Sequence, residues 1–346
     1  WSVRYNGSGN SSDGGVALGV DVSGNVYVTG KSFGSGTAED YATLKYGPNG
    51  NLIWVRRYDG PVNNADLAAD LAFDGLGNVY VTGSSWGGNS WDFATLKYDA
   101  NGNLLWVRRH TGGKDADLAS GLAADVSGNV YVTGQSSLWG GNTFYKFFTL
   151  KYDLNGSLLW SRTYQGYSSN HSYASSICLD LNGNVCLTGP SWGIGTSYDF
   201  ATLKYDPQGN QLWVRRYDGT AWGGDFSTDI AVDSSGNVFV AGSRFIKMGR
   251  ANHNFATLKY SPTGVEEWVK TYSGGEGVDK AAAVTADNQG NVYVTGFSLR
   301  SSTLYDIVTI KYSPCTFTSP KAGDANSDGN LNLSDIVAVV NLIAWP

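Results

Sequence analysis

Residues 54–106 read WVRRYDGPVNNADLAADLAFDGLGNVYVTGSSWGGNSWDFATLKYDANGNLLW. The stretch begins and ends on the same element, because Trp106 opens the next copy. Between the two tryptophans lie a small-residue run (Ala68-Ala69), the turn Asp74–Asn78, and the run Val79–Gly83. A variable loop follows, then Asp92–Tyr98, then the turn Asn101-Gly102-Asn103. Runs rich in Val, Tyr, Thr and Phe suit strands, and Asx-Gly segments between them suit hairpin turns. Each copy therefore reads as four short antiparallel strands.

Working outward, the tryptophan recurs at Trp1, Trp54, Trp106, Trp160, Trp213 and Trp268. The first turn recurs at Asp21, Asp74, Asp125, Asp180, Asp233 and Asp287. Repeats of about 50 residues with four strands each are the mark of propeller blades. The small-residue strands (Ala68-Ala69, Ala119-Ser120-Gly121, Ala281-Ala282-Ala283) suit the crowded axis. The tryptophan strands, with Arg56-Arg57, Arg108-Arg109 and Arg215-Arg216, suit the outer edge, where charge discourages edge pairing. The sequence thus predicts an all-β fold, a six-bladed β-propeller of four-stranded antiparallel blades over residues 1–313. The last copy ends at Tyr312 without a tryptophan strand. Trp1–Tyr5 is expected to supply it and close the ring. The alternative is that this segment completes a blade of a neighbouring molecule.

Composition narrows the function. The 346 residues carry 24 Lys+Arg against 30 Asp+Glu, a net charge of −6, and 41% are hydrophobic. That hydrophobic share is too high for disorder, and an acidic chain is a poor match for nucleic acid. No apolar run is long enough for a membrane span. The chain opens on Trp1, for which a removed secretory leader is the expected reason. Three histidines fall at unrelated repeat positions, and no G-x-S-x-G, H-E-x-x-H or sialidase-type Asp box is present. The expectation is a non-enzymatic protein.

The pattern D-x-x-G-N-V-Y-V-T-G at Asp287–Gly296, with D-F-A-T-L-K-Y at Asp92–Tyr98, resembles the secreted β-propeller repeats called SBBP repeats. That resemblance covers residues 1 to about 313. It implies an extracellular or cell-surface setting and no single activity.

Residues 314–323 read as a linker. Beyond it, Asp324, Asn326, Asp328, Asn330, Asn332 and Asp335 fall at the offsets of an EF-hand-type loop, with Gly329 at the sharp turn. This predicts a Ca²⁺ site. Ile336, Val339, Val340 and Ile343 form one apolar stripe on a following helix. Residues 324–346 resemble one half of a type I dockerin. The family implies a calcium-organised tail that docks on a protein partner, a cohesin module; the apolar stripe of a lone helix must in any case be buried, on its own propeller, on another copy of the chain or on another receptor.

Hairpin geometry puts the long variable loops on one face and the tight turns on the other. The loop face gathers Trp86, Trp91, Trp139, Trp192 and Trp222 beside Asp66, Asp117 and Asp225. Aromatic faces beside carboxylates suit carbohydrate, through stacking and directional hydrogen bonds; the competing reading is packing between blades and capping of strand starts. Cys178 and Cys186 fall opposite each other about the Asp180–Asn184 turn. They are open to a cross-strand disulfide or to two buried thiols. The leading reading is a secreted structural or binding propeller, tethered or assembled through its calcium tail, a surface filament or layer being one version. The alternatives are a carbohydrate-binding propeller and a polysaccharide-degrading enzyme.

Overall fold

The computed structural model describes residues 1–314 except 113–115, 138–143, 168–169, 196, 220–222, 248–251, 275–276 and 301–303. Trp139, Trp222, Cys315, the calcium-loop residues and the Ile336–Ile343 stripe lie outside the described residues. Residues Trp1–Lys311 form one compact unit.

That unit contains six antiparallel sheets in chain order. Sheet one holds Asp13–Val20, Val26–Phe33, Glu39–Tyr46 and Leu52–Tyr58. Sheet two holds Asp66–Phe73, Val79–Trp86, Trp91–Tyr98 and Leu104–His110. Sheet three holds Leu118–Ala124, Val130–Ser136, Lys146–Tyr152 and Leu158–Tyr164. Sheet four holds Ser176–Leu179, Val185–Trp192, Tyr198–Tyr205 and Gln211–Tyr217. Sheet five holds Phe226–Val232, Val238–Lys247, Asn252–Tyr260 and Glu266–Tyr272. Sheet six has three strands, Asp279–Ala286, Val292–Arg300 and Leu304–Tyr312. The first strands of consecutive sheets touch in succession, which places them on the axial side. No helix among the described residues is long and apolar enough to cross a membrane.

The turns form for a local reason. In the first hairpin of each sheet, the aspartate carboxylate accepts the N–H groups two and four residues on. Asp74 Oδ1 takes Leu76 N at 2.9 Å and Asn78 N at 3.0 Å. The fourth turn residue is Gly77, at φ +77°, a conformation that favours glycine. An Asx turn thus fixes the register in which Val79 opposes Phe73.

The core lies between sheets rather than inside one. Each of the first four sheets presses one residue from each of strands two, three and four onto the next sheet. Tyr27, Tyr41 and Trp54 of sheet one pack on Leu71, Val81, Leu96 and Tyr98 of sheet two. Tyr80, Phe93 and Trp106 repeat this on sheet three, and Tyr131, Phe147 and Trp160 on sheet four. In sheet four Cys186 takes the tyrosine's place.

A polar clasp locks each of the first four seams at the turn end. The indole of Trp54 and the ammonium of Lys45 both donate to Ala100 O, at 3.3 and 3.0 Å. Trp106 and Lys97 converge on Leu154 O, Trp160 and Lys151 on Pro207 O, and Trp213 and Lys204 on Pro262 O. Arg56, Arg108, Arg162 and Arg215 each donate through Nε to a glycine carbonyl of the same turn. A side chain on Gly102 would meet the Trp54 ring at 2.9 Å, so glycine is required under the indole.

One expectation is corrected. Trp1–Tyr5 forms no strand and pairs with no edge of sheet six. No strand of sheet six packs closely on sheet one, so the six sheets make an open arc. The reason lies in what the tryptophan strand grips. Its backbone pairs with its own sheet, while its side chains hold the following sheet. Trp1 keeps only the second attachment: its indole donates to Pro48 O at 2.9 Å and its ring lies on Tyr46. Sheet six is too far away to offer the first.

Candidate functional site on the loop face

The loop face is built on two sets of carboxylates. Asp13, Asp66, Asp117, Asp225 and Asp279 open the region of the first strands. Each accepts a backbone N–H from the glycine that opens the preceding loop: Gly7, Gly60, Gly112, Gly219 and Gly274, at 2.5–2.8 Å. Asp66, Asp117 and Asp225 are fully buried. Burial pushes the Asp225 carboxyl up to about 6, and the nearby charges of Asp218 and Asp199 act in the same direction. These three residues therefore tie loops to axial strands.

The second set, Asp40, Asp92 and Asp199, starts the third strands. Each pairs at 2.7 Å with an arginine of its own outer strand: Arg57, Arg109 and Arg216. Between sheets one and two, Asp40, Asp59 and Asp66 bring one carboxylate oxygen each within 4.8 Å of one another. Burial first, then the charge of Asp40, raises the Asp59 carboxyl.

The aromatic residues divide into two groups. Trp86 and Trp91 meet edge to face at 5.6 Å across one hairpin of sheet two. A larger group spans sheets four and five. Tyr198 is its hub, with Trp192 at 5.1 Å, Phe226 at 5.3 Å and Tyr173 at 6.0 Å. His253 extends it, 6.2 Å from Phe226 and 5.4 Å from Phe245. Burial lowers the His253 imidazole, and the charge of Lys280 adds to the effect. Trp192 and Tyr198 are only half-buried.

Further along the axial strands, two carboxylates break the repeat. Asp70 of sheet two accepts Leu122 N of sheet three at 2.8 Å. Asp229 of sheet five accepts Val284 N of sheet six at 2.8 Å and the Ser176 hydroxyl at 2.7 Å. Burial pushes the Asp70 carboxyl up to about 6, and the negative charge of Asp229 contributes. The same repeat position holds Ala17, Gly121, Ser176 and Ala283 in the other sheets.

Sequence reading singled out Trp86, Trp91 and Trp192, and the structure brings Trp86 together with Trp91. It missed Tyr173, Phe226, His253, Asp70 and Asp229. The available signal was loss of symmetry. The residue after the capping position runs Gly14, Leu67, Leu118, Tyr173, Phe226, Lys280, and such variation on a fixed scaffold marks a specialised surface. Cys178 and Cys186 are directly paired across the first hairpin of sheet four, both as thiols. Their mutual hydrogen bond and burial raise the Cys178 thiol.

Comparison with known proteins agrees with the repeat architecture. The β-propeller repeat (SBBP) family model matches residues 53–89 and 212–243. An uncharacterized WD repeat-containing protein, L264 of Acanthamoeba polyphaga mimivirus, is 31% identical over 118 residues, 28% of this chain and 8% of that protein. The regulatory protein FlaEY of Caulobacter vibrioides is 32% identical over 154 residues, 39% of this chain and 15% of that protein. The chain thus spans a small part of either relative. Among solved structures, a PL25 ulvan lyase bound to a -[GlcA(1-4)Rha3S]- saccharide superposes with a TM-score of 0.54 at 9% identity, covering 86% of this chain and 81% of that one. The likeness extends to the fold alone. The chain is a propeller-like all-β protein that carries SBBP repeats at residues 53–89 and 212–243.

Proposed function

We propose that this protein is a secreted binding module whose loop face receives carbohydrate at the aromatic group of sheets four and five. The observation that carries this reading is the contiguous array Tyr173, Trp192, Tyr198, Phe226 and His253. Ring faces half-open to solvent can stack on the apolar faces of sugar rings, while nearby polar groups satisfy hydroxyls. The group occurs at one seam of a repeated scaffold, as a specific site requires. A calcium-organised tail, with Asp324, Asn326, Asp328, Asn330, Asn332 and Asp335 as ligands, would tether the module to a protein partner. A glycan array tests the reading. Hits abolished in Trp192→Ala, with an unchanged unfolding curve, support it; an array without hits, or hits indifferent to that change, refutes it.

A second reading has one observation in its favour. Burial holds the Asp70 carboxyl near 6, with a smaller contribution from the charge of Asp229, in the range of a general acid. On that reading the axial surface around Asp70 cleaves a polysaccharide. Release of soluble oligosaccharide that stops in Asp70→Asn separates cleavage from binding.

A further inference from the structure

Independently of the loop-face reading, we propose that the two ends of the arc are complementary halves of one interface, and that a second copy of this chain fills it. Sheet six of one copy seats on sheet one of another, and Trp1–Tyr5 of the second copy becomes the fourth strand of that sheet six.

The closed seams define what an interface needs. At the second residue of the third-strand motif stand Tyr41, Phe93, Phe147, Phe200 and Phe255, all 0–1% exposed. Three of these rings press on the second-strand glycine of the next sheet, Tyr41 on Gly83, Phe147 on Gly189 and Phe200 on Gly242. The same position in sheet six is Ile307, 87% exposed. Its counterpart on sheet one is vacant. A cavity of about 300 Å³ opens there, lined by Val28, Gly30, Ala42 and Leu44, with Trp1 and Val3 at its rim. Beside it, Val16, Leu18 and Val20 of the axial strand are exposed.

Two polar details agree. Trp1 already holds Pro48 O, the carbonyl position that tryptophan strands grip at the closed seams. Trp1 therefore stands where the outer strand of a preceding sheet would stand. In repeat register Arg4 matches Arg57, Arg109 and Arg216, which donate to the hydroxyls of Ser32, Ser85 and Ser191. The matching hydroxyl in sheet six, Ser298, is fully buried and has no partner. Ser136 is likewise unpartnered, and its sheet carries Thr163 in place of that arginine.

The occupant follows from where the complementary surfaces are found. The molecule carries both halves but does not bring them together, so a second copy satisfies each. Because unlike surfaces meet, the contact is head to tail and can extend into a chain of copies.

The test uses two exposed positions that the closed seams place close together, Leu18 and Thr285. By the register of sheets one and two, where a side chain on Gly19 would meet Leu71 and Phe73, they face across the proposed contact. In full-length chain carrying Cys315→Ser, Leu18→Cys and Thr285→Cys are made separately and oxidised alone or mixed. A disulfide-linked dimer in the mixture only is the expected result. Sedimentation of the wild-type chain should show mass rising with concentration, and Leu18→Asp should return it to monomer. A mixture without a linked dimer, or a wild-type mass that stays monomeric to high concentration, overturns the proposal. So does the double variant Leu18→Cys/Thr285→Cys linking only within one chain, which would mean that the arc closes on itself.

Discussion

At the turn end of the sheets, Lys45, Lys97, Lys151 and Lys204 all donate to the same carbonyl position of the following sheet. At the loop end, equivalent positions run from Gly14 through Leu67 and Tyr173 to Lys280. One end satisfies a demand that these seams share, the mating of two sheets, and so these four copies keep the same chemistry. The other end has no common demand once the loops are capped, so its residues are free to differ. The contrast separates what holds the arc together from what it presents to a ligand.

The largest test of this contrast is at the turn end. The ammonium of Lys204 is buried 2.8 Å from Asp180, also buried. Lys204→Met should cost about 3–5 kcal/mol, since it leaves a buried carboxylate without its cation. The repeat equivalent Lys311 is exposed beside the open end, and Lys311→Met should stay within about 0.5 kcal/mol. Urea unfolding of both variants measures the difference, and equal losses would mean that the clasp is not what stabilises the seams.

A smaller effect belongs to the axial carboxylates. The Asp70 carboxyl lies near 6 in the folded chain against an ordinary 3.8. The folded state therefore holds a proton that the unfolded state has released. This contribution to stability is complete below about pH 4 and disappears as the pH rises through 6, a loss on the order of 3 kcal/mol. Asp70→Asn should flatten that part of the stability–pH curve. A curve of unchanged slope would show that the carboxyl is better solvated than its position implies.

At the loop end the expected changes are in binding rather than folding. Trp192→Ala should weaken oligosaccharide binding about tenfold, the scale of one lost stacking contact, whereas Trp86→Ala in the separate pair should leave the affinity within about twofold. Calorimetric titration of both variants distinguishes them. The smallest effect on the propeller should come from the tail. Asp324→Ala with Asp328→Ala should abolish calcium binding measured by titration, and leave the main unfolding transition unmoved.

Much of the architecture was legible because repetition averages out local ambiguity. The strand order, the Asp74–Asn78 turn and the opposition of Cys178 and Cys186 all follow from period and register, and the structure shows each. Ring closure was not legible. The sequence of Trp1–Tyr5 matches an outer strand, but matching residues state which sheet it can hold, not whether a second sheet comes within reach. The loop face was readable only in part. Trp192 stands out by type, whereas Phe226 and Asp229 look ordinary until the fold places them on one axial strand beside residues from other repeats. Asp66, Asp117 and Asp225 were legible as a ring, and capping of backbone N–H groups was one of the two readings open to them; that the partners are Gly60, Gly112 and Gly219 appears only with backbone geometry.

The clasp of Trp and Lys on a carbonyl of the next sheet has a consequence for ancestry. At the first four seams each copy carries the donors for its successor, and the successor carries the acceptor, so these junctions share one chemistry. Unequal crossing-over could insert or delete a whole copy without any compensating substitution, and blade number in such genes is therefore free to drift.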